Sequence, residues 1–126
     1  MVDPINEILS KDSRYKSEAY GFVLASLEVA RVQTGKTKHV TGFDLLQGLK
    51  TLAIKDYGIM AKTVLESWGI KTTDDIGEIV FNLIDTELLS KTSEDQKEDF
   101  HNIFDFDTVF MKEYPFIENT NQNDSQ

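Results

Sequence analysis

The 126-residue sequence contains no cysteine, a single tryptophan and only two prolines. Without cysteine, the chain has no disulfides, thiolate nucleophiles or cysteine-ligated zinc sites. No apolar run approaches the roughly 18–20 residues that cross a bilayer. The first residues, "MVDPINEILSKDSRY", lack the positive segment and the long apolar stretch of a signal peptide. These absences predict a cytoplasmic protein that does not enter a membrane.

Basic residues are scarce in the second half of the chain. Residues 1–62 hold nine Lys and Arg against seven acids, a net of +2, whereas residues 63–126 hold four Lys against fifteen acids, a net of −11; the sum is −9. An acidic half repels nucleic acid at long range and attracts a partner with a basic surface. The plainer interpretation is that the acids keep the domain soluble.

The rest of the composition is that of an ordinary globular protein, with 40% hydrophobic and 28% charged residues. The length suits one domain with one core. We therefore expect a single helical domain over residues 1–116. The polar end "ENTNQNDSQ" has almost no apolar groups, which predicts a disordered tail over residues 117–126.

Local signals place the first two helices. Asp3 is a cap residue and Pro4 stands where a first helical residue belongs, so a short helix begins there. A longer apolar pattern of helical period predicts a second helix over about Ser17–Thr34. Gly35 follows it directly and can adopt the left-handed conformation that ends many helices.

The third and fourth helices are bounded in the same way. Thr41 and Asp44 have the spacing of a capping box, which predicts a helix start, and Gly58 predicts its end. A fourth helix is expected over about Met60–Trp68, ended by Gly69.

The stretch "WGIKTTDDIGEIVFNLIDTELL", from Trp68 to Leu89, combines a helix end, a tight turn and the most periodic helix of the chain. It predicts a helix-turn-helix-like centre. After Leu89, aromatic residues fit both strand and helix period, so residues 90–106 form either a short β-hairpin or an irregular segment. The expected fold is mainly α, with five or six helices and a winged-helix-like order if the hairpin forms. The aromatic side chains expected in the core or against a partner are Phe100, Phe104, Phe106 and Phe110.

The outward face of the fifth helix decides whether the turn reads DNA. Helix-turn-helix proteins contact DNA mainly through Arg, Lys, Asn and Gln, but no Lys or Arg occurs between Lys71 and Lys91. Each carboxylate set against a phosphate costs roughly 1 kcal/mol even in water. We therefore predict no DNA binding and a basic protein surface as partner. The candidate partner-binding residues are Asp74, Asp75, Glu78, Asn82 and Asp85, with Glu87 beside them.

No catalytic or metal-binding motif is present. The two histidines, His39 and His101, lack the H-x-x-x-H and H-E-x-x-H spacings. A metal site of His101 with Asp99, Asp105 and Asp107 competes with a solvated acidic turn, and "DFDTVF" lacks the glycine and spacing of a calcium loop. "QTGKT" lacks the first glycine of a phosphate-binding loop. We predict a protein that is not an enzyme and needs no metal or cofactor.

The leading functional hypothesis is thus a non-catalytic protein-interaction module, with the acidic C-terminal half facing a basic partner. The alternative is an RNA- or ribosome-associated factor that uses the basic loop Arg31–His39, through Arg31, Lys36 and Lys38. The plain interpretation of that loop is a solvated connection between helices.

Four stretches carry a resemblance: "DSRYKSEAYGFVLASLEVA", "HVTGFDLLQGL", "YGIMAKTVLESWGIKTTDDIGEIVFNLI" and "LLSKTSEDQKEDFHNIFDFDTVF". They resemble a family of small uncharacterised bacterial proteins, over about Ser10–Phe110. The most specific element is the block W-G-I-x-x-T-x-D-x-G-E-I-V-F-N-L. The resemblance implies a bacterial-type cytoplasmic domain of unknown role and supplies no catalytic or ligand residues.

Gly77 is unusual because it lies inside the best helix, where glycine costs roughly 1 kcal/mol relative to alanine. Either another element or a partner approaches closely there, or the first turn simply tolerates glycine.

Overall fold

The computed structural model describes residues 3–35, 40–89 and 96–112, and this part of the chain is mainly α-helical, as predicted. None of its helices combines the length and apolarity that a membrane span needs. The helices are α1 (Pro4–Lys11), α2 (Ser17–Thr34), α3 (Gly42–Tyr57), α4 (Ala61–Ser67) and α5 (Thr73–Asp85), with 3₁₀ helices at Gly58–Met60 and Lys97–Phe100 and a π-helix at Asp107–Lys112.

The helices begin where their cap residues lie. The Asp3 side chain accepts a hydrogen bond from a backbone N–H of the first turn of α1. Thr41 and Asp44 form the expected capping box at the start of α3. Thr72 and Asp75 form a second one at the start of α5. Each box satisfies backbone N–H groups that a helix start leaves free, so local sequence fixes these boundaries.

The turn between α4 and α5 is a Schellman motif closed against the N-terminal part of the chain. The Ile70 N–H donates to the Leu65 carbonyl over 3.0 Å, and Gly69 adopts φ 98°. The segment between α1 and α2 (residues 12–16, the strap) passes over this turn. The Arg14 carbonyl oxygen lies so close to Gly69 that it would overlap a Cβ atom there. This turn therefore requires glycine for its conformation and for its space.

The core lies between α2, α3 and α5, and α2 packs most extensively on α3. Gly48 of α3 permits this contact, because a Cβ there would lie 2.6 Å from the Ser26 carbonyl oxygen of α2. The most deeply buried large side chains are Tyr20, Leu46, Leu49, Leu65, Ile70, Ile76, Ile79, Leu83 and Phe110.

The C-terminal segment packs on this core through its aromatic side chains. Phe100, Phe106 and Phe110 are buried and Phe104 is half-buried, which confirms the sequence prediction. The hairpin and the winged-helix order are not confirmed. Residues 96–112 contain a 3₁₀ helix and a π-helix and no strand, while residues 90–95 and the predicted tail lie outside the described residues.

Phe100 explains the glycine inside α5. A Cβ on Gly77 would lie 2.9 Å from the Cβ of Phe100. Thr73 of α5 also binds the segment around Phe100. Its hydroxyl donates to the Phe100 carbonyl over 2.6 Å and accepts from the Ile103 N–H over 3.1 Å. Close approach is therefore the reason for glycine at this position.

Candidate partner-binding surface

The polar face of α5 is partly covered by the strap. The Asn82 amide donates to Asp12 Oδ2 and to the Tyr20 hydroxyl, each over 3.0 Å. The buried Tyr15 hydroxyl donates to Asp75 Oδ1 over 2.6 Å. Two of the five residues predicted to bind a partner, Asn82 and Asp75, are thus engaged inside the molecule.

Glu78 is engaged as well, between two cations. Its Oε1 lies 3.1 Å from Arg14 Nη2 and 3.4 Å from Lys97 Nζ. Arg14 also forms an ion pair with Asp12 over 2.6 Å. Glu78 therefore connects the strap and the 3₁₀ helix Lys97–Phe100 to α5, and its charge is compensated.

The remaining two predicted residues lie toward solvent at opposite ends of α5. Asp74 is exposed and lies 3.1 Å from Nδ1 of the exposed His101. Asp85 is exposed, and its side chain has no ion pair or hydrogen bond among the described residues. The structure thus does not bring the five residues together as one free acidic face.

The contacts of the strap shift the titration of its side chains. The Arg14 guanidinium, helped by the Asn82 amide and the Arg14 N–H, holds the pKa of Asp12 well below its usual range. Burial, together with the hydrogen bond to Asp75, raises the pKa of the Tyr15 phenol. Asp12 stays charged and Tyr15 stays protonated at neutral pH, which preserves both contacts with α5.

The lowered pKa of Asp12 predicts acid sensitivity. A carboxylate with a depressed pKa in the folded state stabilises the fold above its unfolded pKa of about 4, and this contribution declines progressively as the pH falls further. We expect Asp12→Asn to lower the free energy of unfolding by roughly 1 kcal/mol at neutral pH, since the Arg14 end of the pair is solvent-screened. Urea unfolding from about pH 7 down to about pH 2 should show the two proteins converging. A constant difference across this range would contradict the assignment.

The alternative nucleic-acid surface is described only in part. Arg31 forms an ion pair with Glu28, with Nη1 and Oε2 3.0 Å apart. Lys36, Lys38 and His39 lie outside the described residues. The RNA- or ribosome-contact hypothesis therefore stays a prediction.

The acids considered as metal ligands around His101 are engaged separately. Among the residues that the structure describes, no group of three His, Asp or Glu side chains could hold a metal ion. His101 lies against Asp74, Asp107 pairs with Lys62, and Asp99 and Asp105 accept backbone N–H groups of their own turns.

The end of α5 has the same backbone motif as the end of α4, built on a different residue. The Glu87 N–H donates to the Ile84 carbonyl and the Leu88 N–H to the Leu83 carbonyl, each over 2.9 Å. Glu87 has φ 64° and occupies the left-handed position that Gly69 occupies in the other turn. A side chain in this conformation costs of order 1–3 kcal/mol, which glycine avoids.

Negative charge accumulates at this end of α5. The last turn contains Asp85 and no basic residue, although the negative end of a helix dipole favours cations. Glu87 follows two residues later. Both acids are exposed and have no ion pair within the described residues.

A groove lined by both polar and apolar residues opens along α5. It has a volume of about 300 Å³ and lies between α2, α3, α5 and the 3₁₀ helix Lys97–Phe100. Leu88 is 38% exposed at its edge. Among the described residues, the charged side chains that line it are Arg31 and Asp99. The apolar lining includes Leu27, Val40, Leu45, Val80, Ile84 and Leu88.

Comparison of the chain with protein-family models, with curated proteins and with solved structures finds no match. The family resemblance therefore stays a prediction.

Proposed function

We propose that this protein is a non-catalytic protein-interaction module that binds a partner with a basic surface. The observation that carries the proposal is the residue at the end of α5: Glu87 adopts a left-handed conformation at a position where glycine is the usual residue. Local conformational preference disfavours this choice, and residues in disfavoured conformations cluster at functional sites.

The charges around Glu87 support the same proposal. Asp85 lies at the end of the helix dipole that disfavours acids, and it forms no ion pair among the described residues, although Lys11 and Arg14 line the same depression. Helix stability does not account for the presence of either acid. Binding of a positively charged partner surface accounts for both, because two exposed carboxylates and the helix C-terminus together present a negative field to the solvent.

The proposed contact surface is therefore displaced from the one expected from the sequence. It consists of the C-terminal end of α5 with Asp85 and Glu87. Asp75, Glu78 and Asn82 hold the strap and the C-terminal segment in place.

We further propose that the helix-turn-helix-like centre is a packing unit. The polar side of α5, which would face a DNA groove, carries carboxylates and contacts the strap through Asp75, Glu78 and Asn82. This arrangement supports the prediction that the protein does not read DNA.

The variant Glu87→Gly tests the proposal. Because it relieves the left-handed side chain, it should raise the free energy of unfolding by about 1 kcal/mol. Because it removes a carboxylate from the contact surface, it should weaken binding of a basic partner about fivefold at low salt. Partners are first isolated as proteins that bind at about 0.05 M salt and are released at about 0.5 M salt. Calorimetry with the purified partner then measures the affinity of the wild type and of the variant.

A matched pair of charge reversals provides the control. Asp85→Lys changes the net charge as much as Asp56→Lys does, but the exposed Asp56 lies on α3, away from the proposed surface. Only Asp85→Lys should reduce binding. Equal losses in the two variants would reveal a general charge effect, and a Glu87→Gly protein that binds as tightly as the wild type would contradict the proposal.

A further inference from the structure

One part of the lining of the groove along α5 is apolar. It includes Leu45 and Val80, which are buried, and Leu27 and Ile84, which are half-buried. The volume of the groove, about 300 Å³, lies at the lower end of the range for ligand pockets, which suits a small molecule. An apolar group that entered the groove would cover surface that is now in contact with water.

Gly42 shapes another part of the lining. A Cβ on Gly42 would lie 3.1 Å from the Phe100 ring and 3.3 Å from the Asp99 Cβ. Glycine thus lets the 3₁₀ helix Lys97–Phe100 pack closely against the start of α3, and Gly42, Asp99 and Phe100 all line the groove. The position of Asp99 at the groove is therefore fixed by the packing of two elements.

Two opposite charges line the groove without pairing with each other. They are Arg31 and Asp99, the only charged side chains in its described lining. Arg31 Nη1 donates to Glu28 over 3.0 Å, while Arg31 Nε and Nη2 donate to no group in the described ranges. Asp99 Oδ2 accepts the Gln96 N–H over 3.2 Å, and Asp99 Oδ1 has no described donor. Arg31 therefore keeps donors, and Asp99 an acceptor, for a ligand.

A ligand with one kind of charge does not suit this pair. An apolar carboxylic acid would bring a second anion near Asp99, and an apolar amine would bring a second cation near Arg31. Like charges at short range disfavour both ligands. A ligand that carries one charge of each sign, together with an apolar group, matches the whole lining.

We infer that the groove binds a free apolar α-amino acid, with its carboxylate on Arg31, its ammonium on Asp99 and its side chain on the apolar lining. An amino acid carries these three features within a few bonds, and the small volume of the groove leaves little room for a larger ligand. The inference goes beyond the proposed function, because it concerns the groove and not the acids at the end of α5.

Leucine and two blocked derivatives test the inference on the full chain. N-acetyl-leucine keeps the carboxylate but loses the ammonium, and leucinamide keeps the ammonium but loses the carboxylate. By calorimetry, leucine should bind about tenfold more tightly than either derivative, because each gives up one charge-assisted contact. Alanine, which keeps both charges, should also bind about tenfold more weakly than leucine, because it has less apolar surface to bury.

Spectra of the ¹⁵N-labelled protein locate the ligand. Leucine should shift the amide signals of Leu45, Val80 and Phe100, which line the groove. The signal of Ile59, an exposed apolar residue that does not line it, should stay unchanged. Shifts at Ile59 without shifts at the groove residues would contradict the assigned site.

Two variants assign the ends of the ligand. Arg31→Gln should reduce the preference for leucine over leucinamide, and Asp99→Asn should reduce the preference for leucine over N-acetyl-leucine. The asparagine can still accept the Gln96 N–H through its side-chain oxygen. Lys55→Gln and Asp56→Asn are the charge-matched controls on exposed residues of α3 outside the groove lining, and both should bind leucine as the wild type does.

Three outcomes overturn the inference, and all are measured on the wild-type protein, so a variant that folds poorly does not affect them. If N-acetyl-leucine binds as tightly as leucine, Asp99 does not recognise an ammonium. If leucinamide binds as tightly as leucine, Arg31 does not recognise a carboxylate. If leucine, methionine and phenylalanine all fail to bind at about 10 mM, the groove does not bind amino acids. Each of these results leaves the proposed function intact, which Glu87→Gly tests separately.

Discussion

Gly69→Ala should lower the free energy of unfolding by about 3 kcal/mol. Two costs add at this position: the left-handed φ of 98° disfavours any side chain, and the new Cβ overlaps the Arg14 carbonyl oxygen. A carbonyl of the main chain cannot rotate away as a flexible side chain can, so the strap would have to move off the turn. Urea denaturation measures the loss directly.

Gly35→Ala is the matched control for this variant. Gly35 also has a left-handed φ, 69°, but a Cβ there meets no atom of the described residues within 4 Å. This variant should lose only about 1 kcal/mol, the conformational cost alone. Similar losses in the two variants would mean that the strap does not press on the turn between α4 and α5.

Phe110→Ala should be at least as costly, at about 3–5 kcal/mol. Phe110 is fully buried, and its ring forms edge-to-face contacts with Phe106 at 5.3 Å and with Phe104 at 6.3 Å between centroids. Truncation leaves a cavity under the π-helix and removes both contacts. Thermal and urea unfolding should both report the loss.

The neighbouring residue in the π-helix supplies the control. Met111 is 49% exposed, so Met111→Ala should change stability by only about 0.5 kcal/mol. If Phe110→Ala were equally mild, the C-terminal aromatic segment would not belong to the core.

Helix boundaries were predictable because their causes are local. The Asp3 cap, the Thr41–Asp44 capping box and the ends at Gly35 and Gly69 each depend on residues within a few positions of one another. Helical period also identified the buried side of α5. For these elements, local sequence signals alone determine where the helix begins and ends.

The candidate surface was less predictable because it depends on distant segments. Periodicity placed Asp75, Glu78 and Asn82 on one outward face, but it could not reveal that the strap lies across them. The end of α5 was less predictable for another reason, because Glu87 and not glycine occupies its left-handed position. The apolar pair Leu83 and Leu88, spaced as in a Schellman motif, was the signal that could have identified this end.

The contacts between the strap and α5 also have a consequence for the order of folding. Tyr15 and Asp75 are 60 residues apart in the chain, and Asp12 and Asn82 are 70 apart. Closing such a loop costs entropy that neighbouring helices such as α2 and α3 do not have to overcome. The strap should therefore dock late, after the transition state. Weakening it, as in Asp12→Asn, should accelerate unfolding and leave the folding rate nearly unchanged.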